Sequence, residues 1–261
     1  PDIVGLSIMT FQRTTAFALI RFIKSLRPDT HIVVGGYDPS LAPEVYEAND
    51  QVGFIVRGEG ERTFSDLVRA LEQGRTAPAI AGLSYRAQDI VRNADRPIAR
   101  LASEPLKLPN RAARVLSGYT LLGRQVDVVE TSRGCTYDCS FCSIIEMRGR
   151  NFHPYAIDRV LADIADARRH GARALFLVDD NITLDVNRFE DLCRALVDSG
   201  FNDIEYFVQA MTAPLAAHGA TLAPLMRRAG FRYVFLGIEN VLDADLTFLK
   251  ARAKNTHREH G

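Results

Sequence analysis

The first eighty residues alternate between strand-like apolar runs and helix-like apolar spacing. Short runs rich in β-branched residues occur at positions 4–9, 32–34 and 54–56. Apolar residues recur at helical intervals in the segments between and after them, at positions 14–26, 43–48 and 61–74. Repeated strand–helix units predict a parallel sheet covered by helices. Ligands of such sheets bind beside the carboxyl ends of the strands.

A second series of strand–helix units begins near residue 128. Its strands are predicted at positions 128–131, 174–178, 204–209 and 232–237. Its helices are predicted at positions 157–169, 186–198 and 222–228, with Gly171, Gly200 and Gly230 as C-caps. The last three strands recur roughly every 30 residues, the repeat of a β/α barrel or a doubly wound sheet.

The rhythm of strands and helices breaks between the two series. Positions 83–86 and 89–92 have the pattern of a β-hairpin, and several prolines follow without a sustained period. We therefore predict an α/β protein with one strand–helix domain at residues 1–77, a linker with a hairpin at 78–127 and a second strand–helix domain at residues 128–261.

Composition narrows the possible functions. The 261 residues include 32 basic and 32 acidic side chains, so the formal net charge is zero. This balance argues against a nucleic-acid partner, because neutralising phosphates requires a surplus of Lys and Arg. No apolar run approaches the ~20 residues needed to cross a bilayer, and no signal peptide is visible. We expect a cytoplasmic protein without a membrane span.

Three of the four cysteines lie within eight positions, at Cys135, Cys139 and Cys142. Clustered thiols without an export signal indicate metal binding or catalysis. Spacings of four and three residues allow a short loop to ligate three irons of one cuboidal cluster. A zinc site remains an alternative, with His153 as its fourth ligand. The fourth cysteine, Cys193, lies in a predicted helix and is expected to pack in the hydrophobic core of the protein.

The sequence Cys-x3-Cys-x2-Cys, with the aromatic Phe141 before its last cysteine, resembles the signature of radical S-adenosylmethionine (SAM) enzymes. The resemblance implies that these cysteines hold a [4Fe-4S] cluster whose open iron binds SAM. One electron then cleaves SAM to methionine and a 5′-deoxyadenosyl radical. Iron–sulfur potentials span roughly −700 to +450 mV, and this cleavage requires the low end. A low-potential electron donor such as flavodoxin or ferredoxin is therefore implied.

The same resemblance implies contacts to SAM from residues at the ends of the later strands. Asp180 ends the second strand of the series and Gln209 the third. Glu239 follows the fourth strand in a Gly-Ile-Glu-Asn segment similar to the Gly-Ile-Glu-Ser of some family members. Phe141 is expected near the adenine. Capping of a helix is the alternative for Asp180, and exposure to solvent is the alternative for Gln209.

The first series resembles the cobalamin (B12)-binding domain that precedes the barrel in one radical SAM subgroup. The resemblance implies that small residues at three strand ends line the nucleotide tail of cobalamin, at Ser7, Thr10, Gly35, Gly36 and Gly58. Tight turns alone are the alternative explanation for the glycines. The Asp-x-His-x-x-Gly loop that supplies a cobalt ligand in many such domains is missing, and His31 does not replace it.

These resemblances imply a radical SAM enzyme, most simply a cobalamin-dependent methyltransferase acting on an unactivated carbon of a small molecule. A B12-dependent oxidoreductase or cyclase is the alternative within enzymes, and a zinc-stabilised binding module is the alternative outside them. No catalytic residue is identified beyond the cluster ligands. The resemblance implies a partial Rossmann-like (flavodoxin-like) domain at residues 1–77 and a partial barrel of four strands at residues 128–261, since family barrels have six strands. Because natural proteins avoid an open sheet edge, we expect an internal fragment of a longer enzyme.

Overall fold

The computed structural model describes residues 1–75, 79–103 and 106–254, with only the backbone of Lys254. Contacts divide the chain into two compact units. The first contains Pro1–Ala99 and Glu146–Arg148, and the second contains Arg100–Ile145 and the described residues from Gly149 onward. No helix in the described ranges is long and apolar enough to span a membrane.

The first unit is built on one mixed sheet. In chain order its elements are β1 (Ile3–Ser7), α1 (Arg13–Leu26), β2 (His31–Gly35), α2 (Tyr37–Leu41), α3 (Pro43–Glu47), β3 (Phe54–Val56), α4 (Gly60–Glu72), β4 (Leu83–Arg86) and β5 (Ile90–Arg92). The strand order is β1-β2-β3-β4-β5. The first three strands are parallel, while β4 and β5 form an antiparallel hairpin that extends the sheet.

Alternating side chains of β2 supply two separate cores. Ile32 and Val34 pack in one core with Ile20 of α1, while Val33 packs in the other with Leu67 of α4. Successive side chains of a strand point to opposite faces, so these helices cover opposite faces of the sheet. Because β1, β2 and β3 are parallel neighbours, their carboxyl ends lie side by side at one edge of the sheet.

The second part of the chain forms a sheet of four parallel strands and one antiparallel edge strand, β6, with helices between the parallel strands. Its elements are β6 (Thr120–Leu121), β7 (Arg124–Val129), β8 (Ser132–Arg133), α5 (Ile144–Arg148), β9 (His153–Pro154), α6 (Ile157–Arg169), β10 (Ala174–Leu177), α7 (Val186–Asp198), β11 (Glu205–Met211), α8 (Thr212–Ala229), β12 (Phe231–Gly237) and α9 (Asp243–Phe248). The strand order is β12-β11-β10-β7-β6. All pairs between β7, β10, β11 and β12 are parallel.

Two predicted elements differ from the observed limits by more than two residues. The strand predicted at 128–131 is β7, which begins at Arg124 because polar residues there still pair with β6 and β10. The helix predicted at 222–228 is α8, which begins ten residues earlier. Pro214, Gly219 and Pro224 disguise its pattern. Pro214 is tolerated because N–H groups of the first turn have no intrahelical partner.

A buried ionic cluster ties the start of the second unit to its first long helix. Arg111 is almost fully buried, and its guanidinium donates to Asp127 of β7 and to Asp163 and Asp166 of α6 at 2.6–3.0 Å. Arg114 adds a second, more exposed contact to Asp127. One cation therefore pairs with three carboxylates from two elements. A buried charge requires such partners, because it has lost its contact with water.

Candidate functional site

The carboxyl ends of β10, β11 and β12 surround a cavity of about 150 Å³ together with the cysteine loop that follows β7. The lining consists of Cys135, Tyr137, Cys139, Cys142, Ile144, Ile145, Asp180, Asn181, Gln209, Ala210, Met211, Phe235, Gly237 and Glu239. The structure thus brings the three clustered cysteines together with three of the four residues predicted to contact SAM. Phe141 is not part of this lining and is 50% exposed.

A short β pair closes the base of the cysteine loop. β8 pairs antiparallel with β9, and Cys135 then forms a bridge with Arg150. Gly134 has a φ of +90°, and a Cβ at this position would lie 2.5 Å from the carbonyl oxygen of Asn151. A side chain here would be strained and would collide with backbone, so the loop requires glycine.

Two adjacent carboxylates at the end of β10 hold the start of the same loop. Asp179 is fully buried and accepts from the N–H of Thr131 at 2.7 Å and from the hydroxyls of Thr131 and Ser132 at 2.5 Å. Asp180 accepts from the N–H of Gly134 at 2.7 Å. Burial raises the pKa of Asp179 to about 6, although these hydrogen bonds oppose the shift.

Arg188 of α7 completes this support. Its guanidinium donates to the carbonyl oxygens of Thr131 at 2.8 Å and Tyr155 at 3.0 Å. Neither Arg188 nor the structural role of Asp179 was predicted from the sequence. One signal was available, because a cation in the first turn of a helix is unfavourable next to the helix dipole. Arg188 at that position therefore indicates a specific contact elsewhere.

The ends of β10 and β11 are also joined by side chains. Asn181 donates to the sulfur of Met211 at 2.9 Å, and its Oδ1 accepts from the N–H and hydroxyl of Thr183. The Thr183 hydroxyl in turn accepts from the N–H of Met211 at 3.1 Å. The pocket wall between these strands is thereby held in one arrangement.

Glu239 lies where the chain leaves β12. Its φ of +60° is in the left-handed region, which is uncommon for a residue with a side chain. The next residue, Asn240, accepts from the N–H groups of Val241 and Leu242 at 2.6 and 3.0 Å. A tight turn therefore follows β12, and Glu239 within it lines the pocket.

The donor set in this pocket fits an iron–sulfur cluster better than a single ion. Within the described ranges, no three His, Cys, Asp or Glu side chains converge as ligands of one metal ion. A structural zinc requires four ligands on one atom, and His153 is not in the lining. A cuboidal cluster instead spreads its thiolates over separate irons. Three cysteines fit it and leave one iron open.

The predicted cobalamin contacts lie at the carboxyl edge of the first sheet. A Cβ at Gly36 would lie 2.9 Å from the Ser7 hydroxyl, which places these two residues together. The Ser40 hydroxyl donates to the Gly36 carbonyl at 2.6 Å and accepts from the N–H of Gly58 at 2.9 Å. A Cβ at Gly58 would meet nothing within 4 Å, so the space beside Gly58 is open, whereas a Cβ at Gly35 or Gly36 would approach other protein atoms at 3.2 and 2.9 Å.

A buried carboxylate fixes the loops on either side of that edge. Asp38 accepts from two nitrogens of Arg13 at 2.7 Å and from the Tyr46 hydroxyl at 2.5 Å. The Arg13 hydrogen bonds lower the pKa of Asp38 to about 2, against the effect of burial, and Thr10 contributes in the same direction. Thr10 and Ser7 are both exposed, and Thr10 also contacts Asp38 through its side chain.

Comparison with known families decides the identity of the second unit. Residues 129–260 match the model of the Radical SAM superfamily. The chain belongs to the radical SAM superfamily. Residues 1–68 match the model of the B12 binding domain. The family resemblances inferred from the two halves of this radical SAM chain are therefore confirmed.

Curated relatives of this radical SAM chain include different activities. An uncharacterized methyltransferase of Pyrococcus horikoshii is 29% identical over 95% of this chain and 54% of its own length. The anaerobic magnesium-protoporphyrin IX monomethyl ester cyclase of Synechocystis sp. is 27% identical over 98% of this chain and 52% of its own. The chain thus spans about half the length of these relatives.

Solved structures share the fold. The radical SAM methyltransferase TsrM from Kitasatospora setae, with cobalamin and a [4Fe-4S] cluster bound, superposes with a TM-score of 0.75 at 19% identity. That match covers 96% of this chain and 52% of TsrM. The cobalamin-dependent SAM radical enzyme OxsB gives a TM-score of 0.71 at 23% identity, covering 96% of this chain and 37% of OxsB. The predicted α/β fold, a partial Rossmann-like domain followed by a partial barrel, is confirmed.

Proposed function

We propose that this protein is a cobalamin-dependent radical SAM methyltransferase that methylates an unactivated carbon of a small molecule. The pocket carries the proposal, because it unites Cys135, Cys139 and Cys142 with acidic and amide side chains at the ends of three strands. The B12 match in the same chain adds the second cofactor. Two relatives at 24% identity, a hopanoid C-3 methylase and a cytidylyl-2-hydroxyethylphosphonate methyltransferase, support methyl transfer.

In this proposal each polar residue of the pocket has a separate task. The three cysteines hold the cluster. Gln209 and Glu239 orient the amino group of SAM, while Asp180 acts both on SAM and on the loop through the N–H of Gly134. Phe141 contributes near the adenine. When bound, the cluster and SAM supply a 5′-deoxyadenosyl radical, and cobalamin supplies the methyl group.

The first unit would bind cobalamin along the edge formed by β1, β2 and β3. Ser7, Gly35, Gly36 and Gly58 would line the nucleotide tail, because none of them has a large side chain and the space beside Gly58 is open. Thr10 would contribute mainly through its position, since its hydroxyl engages Asp38. We assign cobalamin binding to residues 1–77 and SAM chemistry to residues 128–261, with residues 78–127 connecting them.

We further propose a reduced flavodoxin or ferredoxin as the electron donor and the cytoplasm as the compartment. No disulfide joins the four described cysteines. Unpaired sulfurs of this kind and a low-potential cluster both fit a reducing compartment.

The test is anaerobic reconstitution with iron and sulfide, followed by reduction in the presence of SAM. We expect about four irons per chain and release of 5′-deoxyadenosine. Replacing any one of the clustered cysteines with Ala should abolish that release, while Cys193→Ala should preserve it. Stoichiometric zinc without iron, or undiminished SAM cleavage in Cys139→Ala, would overturn the proposal.

The second candidate is a B12-dependent oxidative cyclisation. The similarity to magnesium-protoporphyrin IX monomethyl ester cyclases favours it. Product analysis separates the two candidates. Methyl transfer forms S-adenosylhomocysteine in addition to 5′-deoxyadenosine, because SAM also supplies the methyl group. Cyclisation forms 5′-deoxyadenosine without S-adenosylhomocysteine.

A further inference from the structure

Cys139, the middle cysteine of the cysteine loop, is covered by a segment distant in sequence. Cys139 is 4% exposed and packs with Leu246 and Ala251, which are 2% and 1% exposed. Cys135 and Cys142 are only half-buried. We call residues 243–251, which comprise α9 and the turn after it, the bracing segment.

The bracing segment also binds the backbone of the cysteine loop. The carbonyl oxygen of Leu249 accepts from the N–H of Ser140 at 3.0 Å. The Ser140 hydroxyl approaches the Phe248 carbonyl oxygen at 3.4 Å. Because Ser140 lies directly after Cys139, these contacts hold the chain at the middle cysteine from outside the loop.

The turn that ends α9 gives the bracing segment a defined shape. Lys250 has a φ of +51°, its N–H donates to Thr247, and the N–H of Ala251 donates to Leu246 at 2.8 Å. This pair of hydrogen bonds is the Schellman motif. An apolar contact between its first and last residues, here Leu246 and Ala251, commonly accompanies the motif. The turn thereby brings both side chains against Cys139.

We propose that the bracing segment is a positioning element that presets and shields Cys139 before the cluster is present. It leaves Cys135 and Cys142 partly exposed, with Cys142 packed at the margin of the same cluster, so the iron–sulfur cluster would be assembled around one fixed thiol and two more adjustable ones. The relevance to the cluster rests on the function proposed above, but the shielding itself is a property of the iron-free chain.

The same contacts affect the environment of the cluster. Hydrogen bonds to cluster sulfurs and exposure to solvent both influence reduction potential. Donors stabilise the more negative reduced state. The bracing segment directs the N–H of Ser140 to Leu249 and keeps water from Cys139. Both effects disfavour the reduced state and thus favour a low potential.

The test is site-resolved alkylation of the iron-free, reduced chain with iodoacetamide, followed by mass spectrometry. In the unsubstituted chain we expect Cys139 to react about tenfold more slowly than Cys135 or Cys142, because reaction requires local opening. Leu246→Ala should remove most of this difference. Phe248→Ala is the matched control, since Phe248 lies on the same helix and is 82% exposed.

Cys193 distinguishes local from global effects. It is fully buried in α7, so general unfolding would accelerate its alkylation together with that of Cys139. Leu246→Ala should accelerate the alkylation of Cys139 much more than that of Cys142 and should leave Cys193 unchanged, and the smaller change Leu246→Val should do so partially. Equal rates for the three clustered cysteines in the unsubstituted chain, or an unchanged Cys139 rate in Leu246→Ala, would refute it.

Reconstituted protein gives a second readout. Leu246→Ala should lose iron to a chelator about tenfold faster than the unsubstituted chain, while Phe248→Ala should not. Failure to bind iron at all would refute the proposed function and leave the alkylation result valid. Iron binding with equal loss rates would refute the bracing role and leave the proposed function intact.

Discussion

Asp179 and Thr131 are 48 positions apart, yet the carboxylate of Asp179 accepts both the N–H and the hydroxyl of Thr131, at 2.7 and 2.5 Å. This buried pair connects the end of β10 to Thr131, which lies two positions beyond the end of β7. The cysteine loop begins immediately afterwards. The position of the first cluster ligand therefore depends on a carboxylate from another strand.

We predict that Asp179→Asn changes how stability depends on pH. The pKa of Asp179 is about 6 in the folded chain, above the ~3.9 of an unfolded aspartate. The folded state therefore binds the proton more tightly, so the stabilisation is present below about pH 4 and lost as pH rises through 6. Relative to Asp179→Asn, the unsubstituted chain should lose up to about 3 kcal/mol over this interval.

Urea unfolding followed by circular dichroism at pH 4 to 7 measures this difference. Asp198→Asn is the control, because Asp198 is exposed at the end of α7. A difference between the unsubstituted chain and Asp179→Asn that stays constant over this range would contradict the assigned pKa.

Arg111→Ala should be among the most destabilising substitutions in the second unit. It leaves Asp127, Asp163 and Asp166 without their shared cation, and breaking a buried ion pair costs about 3–5 kcal/mol. Arg114→Ala should cost at most about 1 kcal/mol, because that side chain is over one-third exposed. Thermal melting of both variants checks the contrast, and similar losses would show that the burial of Arg111 is unimportant.

Gly134→Ala should impair cluster assembly more than it impairs folding. The new methyl group would lie 2.5 Å from the backbone of Asn151, so the base of the cysteine loop must shift. Gly123→Ala is the matched control, since Gly123 also has a positive φ of +75° but open space around it. We expect both to lose about 1 kcal/mol from backbone strain, while iron content falls only in Gly134→Ala.

Glu239→Gln should weaken SAM binding to the reconstituted protein. The Gln amide keeps an acceptor oxygen but loses the charge that strengthens its hydrogen bond to the SAM amino group, which should cost about 1–2 kcal/mol, or roughly 5- to 30-fold in Kd. Equilibrium dialysis with labelled SAM measures the change. Glu205→Gln removes the same charge at the opposite end of the barrel strands, so it should leave Kd unaltered. An equal effect of both variants would indicate a general electrostatic contribution.

Local pattern was sufficient to predict most elements of the fold. The helices Ile157–Arg169 and Val186–Asp198 have the limits that their apolar spacing predicts. Pattern failed for α8, whose prolines and glycine contradict helix propensity and are outweighed by apolar residues that pack in the core. It also failed at β7, where polar side chains interrupt the strand pattern.

The sequence by itself determined the strand–helix alternation, the cysteine motif and the family of this chain, because each is recorded in neighbouring residues. Only the tertiary structure decided which residues support the motif. Asp179, Arg188 and Leu246 reach the cysteine loop from other elements. Their contacts depend on strand order and on how helices pack, and one-dimensional spacing contains neither.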